Sequence, residues 1–103
     1  MASLSNSLDR QYGKMYRELR AVVNETDPIG IKGRIELESE YDPEIAVMLS
    51  QVDKCRSYDE TIRMVYDIFV RKFDPPAAGS PKKYAPIARR LCELAGIKTA
   101  GGR

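Results

Sequence analysis

Residues 57–73 read SYDETIRMVYDIFVRKF, a pattern that indicates an amphipathic helix. Ser57 and Glu60 stand three residues apart, as in a capping box, where each side chain bonds the backbone N–H of the other residue. Behind this cap, apolar side chains recur every three or four residues, which is typical of one buried helix face. We predict a central helix over about 58–73, with a buried stripe of Ile62, Val65, Tyr66, Phe69 and Phe73 that Met64 and Ile68 widen.

Two more helices are predicted on the N-terminal side. A stripe that starts at Leu8 predicts a first helix over about 7–24, with Ser5 or Ser7 as its N-cap. Asp42-Pro43-Glu44 starts a second helix over about 43–53. Its aspartate is the expected N-cap, and its proline suits the first helical position because the N–H that proline lacks has no partner there.

The C-terminal third predicts one further helix. Asp74-Pro75-Pro76 ends the central helix, and residues 77–79 form a flexible connection. Ser80-Pro81 then starts a fourth helix, which Gly96 stops and in which Pro86 either causes a kink or delays the start. We therefore predict an all-α fold, a small four-helix bundle-like domain over 1–96 with a long ordered loop between helices 1 and 2. A flexible tail over 97–103 follows it.

Composition favours one folded domain that lies in the cytoplasm. The chain has 103 residues, of which 43% are hydrophobic and 31% charged, with a net charge of +2. Its two cysteines are too few for a disulfide framework, and we expect both to be reduced. The sequence contains neither an export signal nor an apolar run of the roughly 18 residues that a membrane span requires.

The predicted loop carries the most unusual chemistry. Residues 24–60 have ten acidic and four basic side chains, whereas residues 61–103 have nine basic and three acidic ones. Asp27-Pro28-Ile29-Gly30 has the preferred sequence of a type I turn, and Ile29, Ile31, Ile35 and Leu37 would hold the loop against the helices. Acidic residues then alternate along an extended segment. A basic protein partner, a purely structural turn and a solvated loop remain open, and so does packing of Tyr41 on the first turn of the second helix as a hydrophobic staple. The candidate partner-binding residues are Asp27, Glu36, Glu38, Glu40, Tyr41 and Asp42.

A basic C-terminal segment supports an alternative prediction, a nucleic-acid-associated protein. Lys82, Lys83, Arg89 and Arg90 would contact phosphates if the protein bound nucleic acid. The acidic middle would repel the same phosphates, and no nucleic-acid-reading motif is present, so we expect no nucleic-acid partner.

Catalysis has no visible basis in this sequence. Histidine, the commonest general base, is absent, and neither a glycine-rich phosphate loop nor a nucleophile elbow occurs. The alternating acidic residues of the predicted loop would lie in a line along an extended segment, so their carboxylates would not converge on one point as calcium ligands do. We expect no enzymatic activity, no cofactor and no metal.

The pattern N-x-x-D-P-I-G over 24–30, followed by E-Y-D over 40–42, resembles a group of small bacterial helical proteins of unknown function. The resemblance covers roughly 12–73, and the chain from Pro75 onward departs from it. The resemblance implies a compact helical domain, and the group has no established activity that could be transferred to this chain. By analogy, some immunity proteins that neutralise bacterial toxins are similar in size and in their acidic loop. We predict a non-catalytic protein-interaction domain, immunity- or regulator-like, that presents the acidic loop to an unidentified basic partner, and whose leftover apolar surface allows a homo-oligomer.

Overall fold

The computed structural model describes residues 3–31 and 39–98, and the all-α fold class is confirmed. Five α-helices and two short 3₁₀ helices make up this part of the chain. None of the described helices is long and apolar enough to cross a membrane. The α-helices are α1 (Leu4–Tyr12), α2 (Lys14–Thr26), α3 (Asp42–Gln51), α4 (Tyr58–Ala78) and α5 (Ala85–Ala95), and the 3₁₀ helices are Val52–Lys54 and Pro81–Tyr84.

The prediction of one helix over 7–24 is wrong, because Gly13 divides it. Gly13 has φ 57° and ψ −126°, a backbone conformation that side chains with a Cβ rarely adopt. The periodic stripe continues across this break, so the sequence pattern does not show it. The start is also different: Ser3 is the N-cap, and its hydroxyl accepts a hydrogen bond from the Asn6 N–H at 3.1 Å.

The second predicted helix is α3, and its cap differs from the prediction. Tyr41 occupies the N-cap position, and Asp42 is already helical, with Pro43 in the first turn. The Asp42 carboxylate is therefore not an N-cap. It accepts hydrogen bonds from the side chains of Ser5 and Tyr16.

The central helix begins as predicted. Ser57 caps α4, and the Glu60 N–H donates to its hydroxyl at 3.1 Å. The carboxylate of Glu60 accepts from the N–H of Arg56, one residue before the cap, at 2.8 Å. This is a variant of the predicted capping box.

Asp74 interrupts α4, with φ 72° and ψ 152°, which agrees with a predicted end at 73. Residues 75–78 then form one more helical turn, so the predicted flexible connection is wrong there. Ala78 is fully buried, and its carbonyl accepts a hydrogen bond from the Tyr84 hydroxyl at 2.6 Å.

Pro86 delays the last helix and does not kink it. The chain after Ser80 first forms the 3₁₀ helix, and α5 then starts with Pro86 in its first turn. Gly96 ends α5 in the left-handed conformation, as predicted. The Ile97 N–H donates to the Cys92 carbonyl at 2.8 Å, and Ile97 packs against the core, so the predicted tail does not begin at 97. Residues 99–103 lie outside the described residues.

Phe69 of α4 lies at the centre of the core. Its ring centroid is 5.9 Å from that of Tyr41, 5.0 Å from that of Tyr84 and 5.9 Å from that of Phe73. Burial raises the pKa of Tyr84 to about 12, so this tyrosine stays a neutral hydrogen-bond donor. Helices α3 and α5 both pack on α4, which places the predicted central helix in the middle of the fold.

Candidate functional site

A hydrogen-bonded network joins the two ends of the segment between α2 and α3. The Gly30 N–H donates to the Asp27 carbonyl at 3.0 Å, which closes the predicted turn. The Asp27 carboxylate accepts from the Ile31 N–H at 3.0 Å and from the Tyr41 hydroxyl at 2.6 Å. The Tyr41 hydroxyl in turn accepts from the Ile29 N–H at 3.2 Å. Asp27 and Tyr41 therefore act together as a structural clasp.

Asp42 forms a second internal network, which ties three helices together. Its Oδ2 atom accepts hydrogen bonds from the hydroxyl of Ser5 on α1 and, at 2.8 Å, from that of Tyr16 on α2. The Arg20 guanidinium lies 5.3 Å above the Tyr16 ring centroid and donates to the Tyr16 hydroxyl at 3.3 Å. Burial raises the pKa of Tyr16, so it remains protonated as a donor.

Two of the predicted partner-binding residues are buried in the structure. Tyr41 and Asp42 are each 1% exposed and take part in the two internal networks, and their contact with a partner stays a prediction. Asp27 is half-buried in the clasp, and Glu40 is exposed. Glu36 and Glu38 lie outside the described residues, so their contact with a partner stays a prediction.

The four basic residues of the alternative prediction are all exposed. Lys82 and Lys83 belong to the second 3₁₀ helix, and Arg89 and Arg90 belong to α5. Arg90 lies 3.6 Å from Glu18 of α2 and 3.3 Å from Glu93, so its charge is shared with two carboxylates. Nucleic-acid contact by these residues stays a prediction.

A groove lies between α3 and α4 on the described surface. Its volume is about 670 Å³, which lies within the range of ligand sites in proteins. The lining is mixed in character. Apolar side chains come from Pro43, Val47, Met64 and Ile68, and a charged pair, Glu44 and Lys72, also lines the groove.

Glu44 is the most unusual residue of the groove. It is only 3% exposed, and the Lys72 ammonium contacts its Oε2 atom at 3.3 Å. Its Oε1 atom is buried and has no hydrogen-bond partner among the described residues. Burial raises the pKa of the carboxyl group; Lys72 opposes this rise and nearby Asp42 adds to it.

Sequence reasoning missed this groove, although one signal pointed to it. Met64 and Ile68 widen the apolar stripe of α4 beyond what one buried face needs, and in the structure both are only half-buried and line the groove. Val47 on the opposite wall is 37% exposed, one of two large hydrophobic side chains exposed on the described surface. The wide stripe of α4 therefore contains side chains that line the groove as well as side chains that face the core.

Over residues 3–31 and 39–98, no three His, Cys, Asp or Glu side chains are grouped to hold a metal ion. Cys92 is buried, and burial raises the pKa of the Cys55 thiol, which makes it a weaker nucleophile. Comparisons with protein-family models, curated proteins and solved structures found no match. The resemblance to small bacterial proteins stays a prediction.

Proposed function

We propose that this chain is a non-catalytic protein-interaction domain and that its binding surface is the groove between α3 and α4. The occupant is an amphipathic helical segment of a partner protein. The observation that carries the proposal is a groove with apolar side chains in its lining and a buried carboxylate oxygen that lacks a partner within the described structure. The proposal keeps the predicted interaction role and moves it from the acidic loop to the groove.

The geometry of the two helices suits a third helix. The short connection between Gln51 and Tyr58, together with the Glu44–Lys72 contact, shows that α3 and α4 run antiparallel. From Glu44 to Gln51 the groove wall extends over about 10 Å, or two helical turns, at the usual rise per residue. Grooves of this kind recognise partner helices through apolar side chains at i, i+3 or i+4, and i+7.

The charges of the groove favour a protein segment over a nucleic acid. Three acidic and three basic side chains line it, so its walls carry no net positive charge. A phosphate backbone needs an excess of lysine and arginine to replace its counterions. An amphipathic helix does not need such an excess. The charged side chains are Glu44, Glu60, Asp67, Arg63, Arg71 and Lys72.

Two exposed hydrophobic residues allow a matched test. Val47 lines the groove and is 37% exposed, whereas Leu4 is 44% exposed and lies on α1 outside it. A displayed library of helical peptides, each about 14 residues long so that several turns form, is selected for binding to the wild-type protein. We expect Val47→Glu to lower the affinity of selected peptides by at least about tenfold, and Leu4→Glu to leave it unchanged.

Three outcomes would contradict the proposal. One is that no peptide is selected, and another is that both variants weaken binding equally. The third concerns a second copy of this chain as the occupant. If sedimentation shows a dimer that Val47→Glu dissociates and Leu4→Glu does not, then the groove is a self-association surface and not a site for another protein.

A further inference from the structure

We infer that the partner helix inserts a cationic side chain, lysine or arginine, which pairs with the Glu44 oxygen that lacks a partner among the described residues. This inference rests on the proposed function, because it names the chemistry of the segment that occupies the groove. The partner would thus be an amphipathic helix with one basic residue on its apolar face.

The buried charges at the start of α3 are not balanced within the described structure. Asp42 is 1% exposed and Glu44 is 3% exposed, and among the described residues Lys72 is the one cation that contacts Glu44. The donors to Asp42 are the neutral hydroxyls of Ser5 and Tyr16. In the described structure one ammonium group thus lies beside two carboxylates that are close in sequence, and it contacts Glu44. The positive end of the α3 dipole offsets about half a unit of charge, which leaves a negative excess.

The internal partner of Glu44 is also weakly held. The Lys72 side chain is 55% exposed, so water competes for its ammonium group. It contacts Oε2 alone, and Oε1 has no partner among the residues that the structure describes. A buried acceptor without a hydrogen bond is unfavourable, and a charged donor satisfies a carboxylate better than a neutral one.

The position of Glu44 also fixes the register of the partner. Glu44 lies at the end of the groove where α3 begins, and Val47 follows one turn later on the same wall. The cation of the partner helix should therefore lie three or four residues from the apolar side chain that contacts Val47.

The experiment is a peptide selection on three proteins. The library has fixed apolar residues at helical spacing and one fully random position a turn away from them. It is selected on the wild type, on Glu44→Gln and on the control Asp67→Asn, which changes an exposed groove carboxylate that Arg71 already contacts. We expect lysine and arginine to be enriched on the wild type and on Asp67→Asn, and not on Glu44→Gln.

Affinity measurements on one selected peptide then quantify the contact. Replacing its cationic residue with methionine should weaken binding to the wild type by about tenfold and to Glu44→Gln by less than about twofold. Lys72→Met leaves Glu44 without its internal cation, so this variant should bind the cationic peptide several-fold more tightly. It provides a second test if Glu44→Gln does not fold, which thermal unfolding of each variant shows.

The inference and the proposed function fail in different ways. One result would overturn the inference and leave the proposed function intact. In this result, the selected peptides lose affinity on Val47→Glu, which places them in the groove, but they show no enrichment of basic residues. An unchanged or weaker affinity on Lys72→Met would overturn it as well. The absence of any groove-binding peptide would overturn both.

Discussion

Removing the Tyr41 hydroxyl should destabilise the protein by about 2 kcal/mol, because it takes away a hydrogen bond to an ionised acceptor. In the structure this hydroxyl donates to Asp27 at 2.6 Å and accepts from the Ile29 N–H at 3.2 Å. In Tyr41→Phe the ring should keep its contact with Phe69, so packing should change little. Asp27 would retain the Ile31 N–H as a donor, which limits the loss.

Tyr66→Phe is the matched control for this variant. The Tyr66 hydroxyl donates to the neutral carbonyl of Gly79 at 2.9 Å from a half-buried position, and its removal should cost about 1 kcal/mol. At roughly 4–8 °C per kcal/mol for a domain of this size, Tyr41→Phe should lower Tm by about 8–16 °C. Equilibrium urea unfolding followed by circular dichroism measures both losses under the same conditions.

A double-mutant cycle separates the charged contact from the rest of the clasp. Asn is among the few side chains that tolerate the left-handed backbone of Asp27, so Asp27→Asn keeps the local geometry and removes the charge. Tyr41→Phe should then cost about 1 kcal/mol in the Asp27→Asn background. The charge-assisted bond would be refuted if Tyr41→Phe cost no more than Tyr66→Phe, or if its cost were the same in both backgrounds.

Three further variants test other features. Asp74→Gly should stabilise the protein by about 1 kcal/mol in thermal unfolding. The reason is that relief of roughly 1–3 kcal/mol of backbone strain at φ 72° exceeds the entropy that glycine adds to the unfolded chain. A loss of stability would contradict this prediction. Gly13→Ala should cost about 2 kcal/mol in urea unfolding, since its φ of 57° and ψ of −126° suit glycine alone, and an unchanged midpoint would argue against the break between α1 and α2. In the folded state, burial holds the pKa of the Glu44 carboxyl group above its ordinary value. The protonated form of Glu44 therefore contributes stability below the pKa of the unfolded state. This contribution is lost as pH rises through the pKa of the folded state. The stability of Glu44→Gln relative to the wild type should therefore increase from pH 4 to pH 8, and a flat difference would show that burial does not perturb this carboxyl group.

Features set by neighbouring residues were predicted from the sequence, whereas features set by distant contacts were not. The Ser57 cap, the turn at Asp27 and the stop at Gly96 each depend on local backbone chemistry, and all three are present. Asp42 also has the local pattern of an N-cap, but hydroxyls from two other helices bind its carboxylate instead. Tyr41 behaves in the same way, since its burial depends on contact with α4. Polar side chains that the sequence suggests are exposed can thus be buried and hydrogen-bonded within the fold.

The structure leaves two buried carboxylate oxygens without partners in its described part, and their surroundings give them different meanings. Oδ1 of Asp42 belongs to a side chain whose other oxygen holds α1 and α2 against α3, so this carboxylate already has a structural task. Oε1 of Glu44 belongs to a side chain that lines the groove and contacts one exposed lysine. Removing a carboxylate from water without full pairing lowers stability, and a fold with no use for the groove would be more stable with an apolar or amide side chain at this position. A ligand that supplies the missing donor would recover that stability as binding affinity, which is why the groove, and not the acidic loop, is the better candidate for recognition.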